Sequence, residues 1–367
     1  MKKRVILQSP RVWDSTWGQE KDLADVLARS FELVVLDLQD FVGRYGKLEP
    51  RYEPPTESVL VRRQRFPGPA LLRAALGELA NAWQQISRRA DCYATYLTTG
   101  NVLAVILARL MGRKVLLIYA DDLAALYGAQ SRLAGWITRR ICTPLVARLA
   151  NAATATAELL AEDILEFAGN VSRIPNGVSL RRVPDVSPLP EGQLRVAFIG
   201  GFGHWVNFEA VLEAAAALKD VHFDLVGGGD RLEEVRGIAA GLENVSVPGR
   251  VAYEEVWRHM DAANCCIIPF FINDLTHRVS PIKLFEYWAA GRPVVVSRTV
   301  EMGSAAGDAV LYANDGSELT GQLARLRDDA SLRRKLAETG RSRVAEYDWE
   351  VLGARYVEII NELTGDS

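Results

Sequence analysis

Short apolar runs alternate along this chain with longer stretches in which apolar residues recur every three or four positions. Residues 4–8 (RVILQ), 33–38 (LVVLDL), 114–119 (KVLLIY) and 153–156 read as strands. Near-continuous aliphatic runs of this kind mark strands covered on both faces. Residues 22–29, 70–88, about 130–150 and 157–167 read as helices. A proline-rich stretch, 181–193 (RRVPDVSPLPEGQ), reads as a linker. The alternation then resumes, with strands predicted at 194–199, 222–226, 244–247, 265–269 and 293–296. Helices are predicted near 207–219, 231–241, 253–262, 282–289 and 316–346. A last helix opens at Asp348, a candidate N-cap, and runs to about Leu363 with Trp349, Leu352, Tyr356 and Ile359 or Ile360 at helical spacing. Strand–helix alternation of this order predicts an α/β protein of two Rossmann-like doubly wound domains. The first spans 1–180, the second 194–345, and the closing helix 346–367.

A length of 367 residues suits two such domains. The net charge of −3 gives the whole molecule no electrostatic footprint for nucleic acid. The charge is uneven, however. Residues 1–180 carry 23 Lys and Arg against 18 Asp and Glu, and the remainder 20 against 28. A basic first half favours an anionic membrane surface or acceptor, although chance asymmetry on solvated faces accounts for it equally. Four cysteines without metal-ligand spacing read as buried free thiols of a reducing compartment. No metal site is expected. The apolar stretch near the start, Val5 to Leu7, is too short for a signal peptide core, and no run of about 18 apolar residues spans a bilayer. A cytoplasmic protein is expected, with peripheral contact to the inner membrane face through 61–73, which holds Phe66, or through 132–148, which holds Trp136, Ile137 and Ile141. Ordinary amphipathic helices explain both segments as well.

The candidate chemistry gathers where strands end. Gly200-Gly201-Phe202-Gly203-His204 follows one predicted strand and Gly227-Gly228-Gly229-Asp230 another. Glycines there let a backbone approach a ligand, and a following helix N-terminus favours phosphate. Neither turn is a GxGxxG, which counts against a dinucleotide cofactor. In the stretch from Thr276 to Pro293, Ser280 is a candidate N-cap and Pro281 a candidate first helical residue. Arg278 precedes that helix, and Lys283 and Glu286 share one of its faces. A guanidinium there grips phosphate, and a carboxylate accepts two ribose hydroxyls. Taken alone, the Lys283–Glu286 pattern is more simply an i,i+3 surface ion pair on a capped helix. Arg173 to Val178 (RIPNGV) reads as a turn. In the first half, Asp121 and Asp122 follow a strand and suit a general base or a helix cap. Trp13, Asp14 and Trp17 suit sugar stacking or core filling.

Together these pieces resemble the GT-B glycosyltransferases of the large family 4 group. The likeness rests on SPIKLFEYWAAGRPVV at 280–295, FIGGFGHWVNFEAVLEA at 198–214, LVGGGD at 225–230, VPGRVAYEEV at 247–256, RIPNGV and the closing YDWEVLGARYVEII. The first half is similar only loosely, and its WD…WGQ start and Tyr119-Ala-Asp-Asp look like the polysaccharide-assembly branch. The resemblance implies two Rossmann-like domains facing a cleft, with the last helix crossing back to the first domain. It implies donor contacts at Gly200, Gly201, Phe202, Gly203, His204, Gly227, Gly228, Arg250, Val251, Arg278, Ser280, Pro281, Ile282, Lys283 and Glu286, with Glu286 on the donor ribose. It implies acceptor contacts at Trp13, Asp14 and Trp17, and catalytic roles for Asp121, Asp122 and Arg278. The family's pair of Glu eight residues apart is here Arg278 and Glu286, which leaves the donor sugar and stereochemical course open.

The function so implied is transfer of a hexose-like sugar from a UDP- or GDP-linked donor to a saccharide or lipid-linked saccharide. The nucleotide sugar is a substrate, so no cofactor is expected; metal independence is expected because Arg278 and Lys283 can supply the charge and no DxD motif stands out, and retention is expected from the family alone. A nucleotide-sugar epimerase of the same fold and a non-catalytic nucleotide-sugar-binding protein are the alternatives.

Overall fold

The structure, a computed structural model, describes residues 2–9, 18–36, 58–61, 76, 79–80, 82–84, 87–97, 101–128 and 131–365. The chain divides into two compact units, Met1–Pro175 with Trp349–Ser367, and Asn176–Asp348. Each contains one parallel sheet.

The first unit holds β1 (Arg4–Gln8), β2 (Glu32–Leu36), β3 (Val59–Val61), β4 (Cys92–Tyr96), β5 (Lys114–Tyr119), β6 (Ala152–Ala155) and β7 (Val171–Arg173) in the order β3-β2-β1-β4-β5-β6-β7. Its alternating side chains explain the continuous apolar runs. Val5, Leu7, Leu33, Val35, Leu116 and Ile118 enter one buried cluster, whereas Ile6, Val34, Val115 and Leu117 enter the cluster on the other face. The closing helix, Trp349–Thr364, supplies Trp349, Leu352, Tyr356 and Ile360 to the first cluster. It packs against helix Gln19–Ser30 so closely that a Cβ on Gly353 would lie 2.7 Å from the Val26 methyls. Arg29 donates two hydrogen bonds to Glu350, at 2.8 and 2.9 Å.

The second unit holds β8 (Arg195–Gly201), β9 (His222–Gly228), β10 (Val245–Gly249), β11 (Cys265–Ile268), β12 (Val294–Val296) and β13 (Leu311–Tyr312) in the order β10-β9-β8-β11-β12-β13. Strand order reverses between β8 and β11, the place where open α/β sheets bind ligands beyond the carboxyl ends of their strands.

Several sequence expectations change. β3, β4, β7 and β13 were not anticipated. β4 is CYATY, whose polar atoms disguise a fully buried strand: the Tyr93 hydroxyl donates to Gln8 Oε1 inside the core. The proline-rich stretch 181–193 is not a free linker but part of the second unit. The Ser187 N–H and hydroxyl both donate to Asp261, at 3.0 and 2.8 Å, and Arg292 donates to the Ser187 carbonyl. The helix expected over 316–346 splits into Gly316–Asp328 and Ala330–Arg343. Asp329 between them is extended, and its carboxylate accepts the Leu332 N–H as the cap of the second helix. The helix expected near 130–150 contains a π turn at Thr138–Cys142. Of the helix expected over 70–88, the described residues 76, 79–80, 82–84 and 87 are helical. Cys92, Cys265 and Cys266 are buried free thiols. Burial pushes the Cys92 thiol up to about 12 and the other two also upward, so all three are inert.

Candidate donor site at the carboxyl ends of β8 and β9

β8 and β9 run in register to their last residues, with Gly200 opposite Gly227 and Gly201 opposite Gly228. Gly227 has φ +145°, and a Cβ there would lie 1.8 Å from the Gly200 carbonyl oxygen. Only glycine lets these two chains approach so closely. Gly200 has φ +155°, and its missing side chain is replaced by that of Lys283: a Cβ would fall 1.9 Å from Lys283 Cε and 2.6 Å from Nζ. Gly228 is covered in the same way by the stem of exposed Arg250, and a Cβ on Gly203 would lie 2.5 Å from the Trp205 ring. Gly201 differs, being exposed with nothing within 4 Å of where a Cβ would stand.

Lys283 arrives from helix Ile282–Ala289, which follows β11. Its apolar side, Leu284, Phe285, Tyr287 and Trp288, is buried. Tyr287 fastens it to β8: its hydroxyl accepts the Ile199 N–H at 2.9 Å and donates to the Ile199 carbonyl at 3.3 Å. The residue fixed is therefore the one before Gly200. Lys283 and Glu286 lie on the other side of the helix, partly exposed. Burial pushes the Lys283 ammonium down, opposed by the charge of Glu286. Burial likewise pushes the Glu286 carboxyl up, opposed by Lys283. Each charge is thus held at a solvation cost beside the other, as perturbed groups at functional sites commonly are.

The start of this helix departs from the expected capping. The helix begins at Ile282 with extended Pro281 as its N-cap, and Ser280 turns instead toward Asn176. Ser280 Oγ accepts the Asn176 N–H at 3.3 Å, and the Ser280 carbonyl accepts from Asn176 Nδ2. The RIPNGV stretch is therefore more than a turn, because Asn176 braces the segment that leads into the helix. Within the first turn the Leu284 N–H donates back to the Pro281 carbonyl at 3.2 Å, and a helix start of this kind favours a nearby anion. Arg278, partly exposed, ends the short helix Asp274–His277 just upstream.

The structure thus brings together Gly200, Gly201, Gly227, Gly228, Arg250, Lys283 and Glu286, with Ser280, Pro281 and Ile282 at the helix start. Val251 follows Arg250 and is half-buried, and His204 is exposed near the Glu234 carboxylate. Phe202 is corrected to a packing role: it is fully buried against Phe198 and Phe208, with ring centroids 5.8 and 4.5 Å apart. Its backbone still serves the turn, since its N–H donates to the Gly228 carbonyl at 3.0 Å. Sequence reasoning missed Tyr287 and Arg231. Arg231 ties the two turns by donating to the Val206 carbonyl, Glu209 and Glu234. A charged residue directly after GGGD was the available signal.

In the first unit, Asp121 is exposed just beyond β5, whereas Asp122 is buried and engaged. Asp122 Oδ1 accepts the Ala125 N–H at 2.9 Å, capping the next helix, and Oδ2 accepts from Arg139 at 3.0 Å. Trp13, Asp14 and Trp17 lie outside the described residues, as does most of the basic 61–73 stretch.

Two units, each built on a parallel doubly wound sheet, define the GT-B fold, and the paired glycine turns of the second are a candidate donor site. Residues 193–329 match the family described as "Glycosyl transferases group 1". The putative teichuronic acid biosynthesis glycosyltransferase TuaH of Bacillus subtilis is 32% identical over 138 residues, 34% of each chain. The lipopolysaccharide core biosynthesis glycosyltransferase LpsE of Rhizobium meliloti is 25% identical over 170 residues, 45% of this chain and 49% of that one. These matches span about a third to a half of the length of the curated relatives. Across the whole fold, the sucrose-phosphate synthase of Thermosynechococcus elongatus superposes with a TM-score of 0.79 at 18% identity, covering 100% of both chains. HepE of Anabaena in complex with UDP and glucose gives 0.74 at 15% identity, covering 98% of this chain and 100% of that one.

Proposed function

We propose that this protein is a glycosyltransferase of surface polysaccharide assembly. It takes a sugar from a nucleoside diphosphate donor, UDP-linked in the first instance, and passes it to a saccharide or lipid-linked saccharide. One observation carries the reading: Lys283 lies across Gly200 beside the open face of Gly201, at a helix start that carries Glu286 one turn in. A cation, uncrowded backbone and a helix start suit a diphosphate, and a carboxylate suits a ribose, which supports the reading. The relatives named for teichuronic acid and lipopolysaccharide core, and the HepE complex with UDP and glucose, support the same substrate class.

As the sugar leaves, negative charge builds on the nucleoside diphosphate. Lys283, Arg278 and the start of helix Ile282–Ala289 stabilise it there, which lowers the barrier because that charge is greatest late in the transfer. Side-chain cations in this role make a metal ion unnecessary. Retention of configuration is proposed on the family resemblance. Asp121 is assigned to the acceptor or the transferred sugar, and Asp122 to holding the loop that carries it. We assign the protein to the cytoplasm, with peripheral contact to the inner membrane face.

Calorimetric titration with UDP, GDP and other nucleotides on wild type and Glu286→Ala tests this. Micromolar binding of one nucleotide, lost in the variant, is expected. No binding by any nucleotide would overturn the reading, and turnover of a nucleotide sugar without acceptor would replace transfer by epimerisation.

A further inference from the structure

The loop that leaves the first glycine turn holds an aromatic side chain that the fold does not bury. Phe202, Val206 and Phe208 around it are packed away, whereas Trp205 is 38% exposed. Part of its ring lies on Gly203, where a Cβ would stand 2.5 Å from the six-membered ring. Among the described residues none hydrogen-bonds its indole N–H and no other aromatic ring packs on it. The loop itself is pinned. The Trp205 carbonyl accepts the Phe271 N–H at 3.0 Å, Val206 forms an antiparallel bridge with Phe270, and the Asn207 N–H donates to the Pro269 carbonyl at 2.7 Å. The chain leaving β8 is thus stitched to the chain leaving β11, across the point where strand order reverses. The Phe271 carbonyl in turn accepts the hydroxyl of buried Thr276 at 2.5 Å, in the short helix that ends at Arg278. Trp205 and Arg278 therefore hang on one hydrogen-bonded frame on the β11 side of the glycine turns. Arg250 covers Gly228 on the opposite, β10 side.

We propose that Trp205 is a platform for the pyranose ring of the transferred sugar and sets which sugar the donor site accepts, an inference that rests on the donor reading above. A nucleotide sugar with its diphosphate at Gly200, Gly201 and Lys283 has two ends. With the base and ribose toward Gly228 and Arg250, the sugar falls on the side of Trp205. A pyranose face presents C–H bonds of partial positive charge, and the indole face is the negative part of its quadrupole. Which C–H bonds share a face depends on the configuration at each carbon. A ring held on a pinned loop therefore distinguishes epimers that are alike in every other group.

Calorimetric titration with UDP, UDP-glucose, UDP-galactose and UDP-N-acetylglucosamine on wild type, Trp205→Phe and Trp205→Ala tests the proposal. Trp205→Ala should weaken the best-bound UDP sugar about fivefold yet bind UDP within about twofold of wild type, so that preference among the sugars shrinks. Trp205→Phe keeps a ring and should restore most of the loss. An unfolded fraction lowers every affinity by one factor, so the ratio of UDP-sugar to UDP affinity is free of any effect on folding. Equal loss for UDP and all the UDP sugars would overturn the proposal in favour of a base contact. Unchanged affinities throughout would overturn it in favour of packing on Gly203 alone, and a loss confined to the acceptor KM in turnover would overturn it in favour of acceptor binding. No binding of UDP by wild type would refute the donor reading itself, and this inference with it.

Discussion

Two glycines one strand apart, Gly201 and Gly227, should separate folding from donor binding. At Gly227 an alanine Cβ would stand 1.8 Å from the Gly200 carbonyl oxygen and 3.1 Å from the Phe202 ring, on a backbone with φ +145°. Neither obstacle is the end of a flexible side chain. β8 and β9 cannot part there without breaking the register that pairs Gly200 with Gly227. Backbone strain alone costs about 1–3 kcal/mol, and the displaced ladder brings the total for Gly227→Ala to about 3 kcal/mol or more. For a unit of this size that lowers Tm by about 6–12 °C.

Gly201→Val should do the reverse. Nothing stands within 4 Å of the new Cβ, the residue is exposed, and its φ is not in the left-handed region. Stability should change by less than about 0.5 kcal/mol. On the proposed reading the side chain would fill the space through which a diphosphate reaches the turn, so UDP affinity should fall at least about tenfold, or 1.4 kcal/mol. Thermal unfolding of both variants and calorimetric titration of the folded one with UDP read the two effects. Wild-type UDP affinity in Gly201→Val would refute the placement of the donor at this turn. A wild-type Tm in Gly227→Ala would refute the steric argument from which the site was built.

Other variants address the charges. Lys283→Met should weaken UDP binding at least about tenfold, as loss of a charge-assisted contact does, without lowering Tm at pH 7, because burial already disfavours the ammonium. Its folded pKa lies below the ordinary 10.5, so wild-type stability should rise with pH through the folded value, and that rise should vanish in the variant. Asp261→Asn should cost about 1–2 kcal/mol at pH 7, measured by urea unfolding, because Arg292 is fully buried and Asp261 is partly exposed. Burial opposes ionisation of Asp261, but the Ser187 hydrogen bonds and Arg292 win and hold its carboxyl below the ordinary 3.8. That stabilisation is present above 3.8 and lost as pH falls through the folded value, so wild type and variant should converge in acid. Asp122→Ala should cost about 1–2 kcal/mol of stability through its lost cap, whereas Asp121→Ala should leave Tm unchanged and lower the transfer rate in a donor-turnover assay.

What the sequence disclosed of all this follows the physics of each element. Strands covered on both faces advertise themselves, and β1, β5 and β8 lie close to where their aliphatic runs predict. β4 does not, because its core contribution is two tyrosines and a threonine whose polar atoms find partners only after folding, as Tyr93 finds Gln8. The glycine turns were legible as places needing a bare backbone, but the sequence could not say what each absent side chain makes room for. The structure gives four different answers within 30 residues: a lysine stem at Gly200, open space at Gly201, a neighbouring carbonyl at Gly227 and an arginine stem at Gly228. Ser280 shows the opposite failure. Ser-Pro before an apolar helix is a strong local capping signal, yet a residue 104 positions earlier, Asn176, takes the serine for a brace instead. Local rules are reliable where a residue's partners are its chain neighbours. The candidate site is assembled from the ends of β8, β9 and β10 and a helix, and its partners are remote by construction.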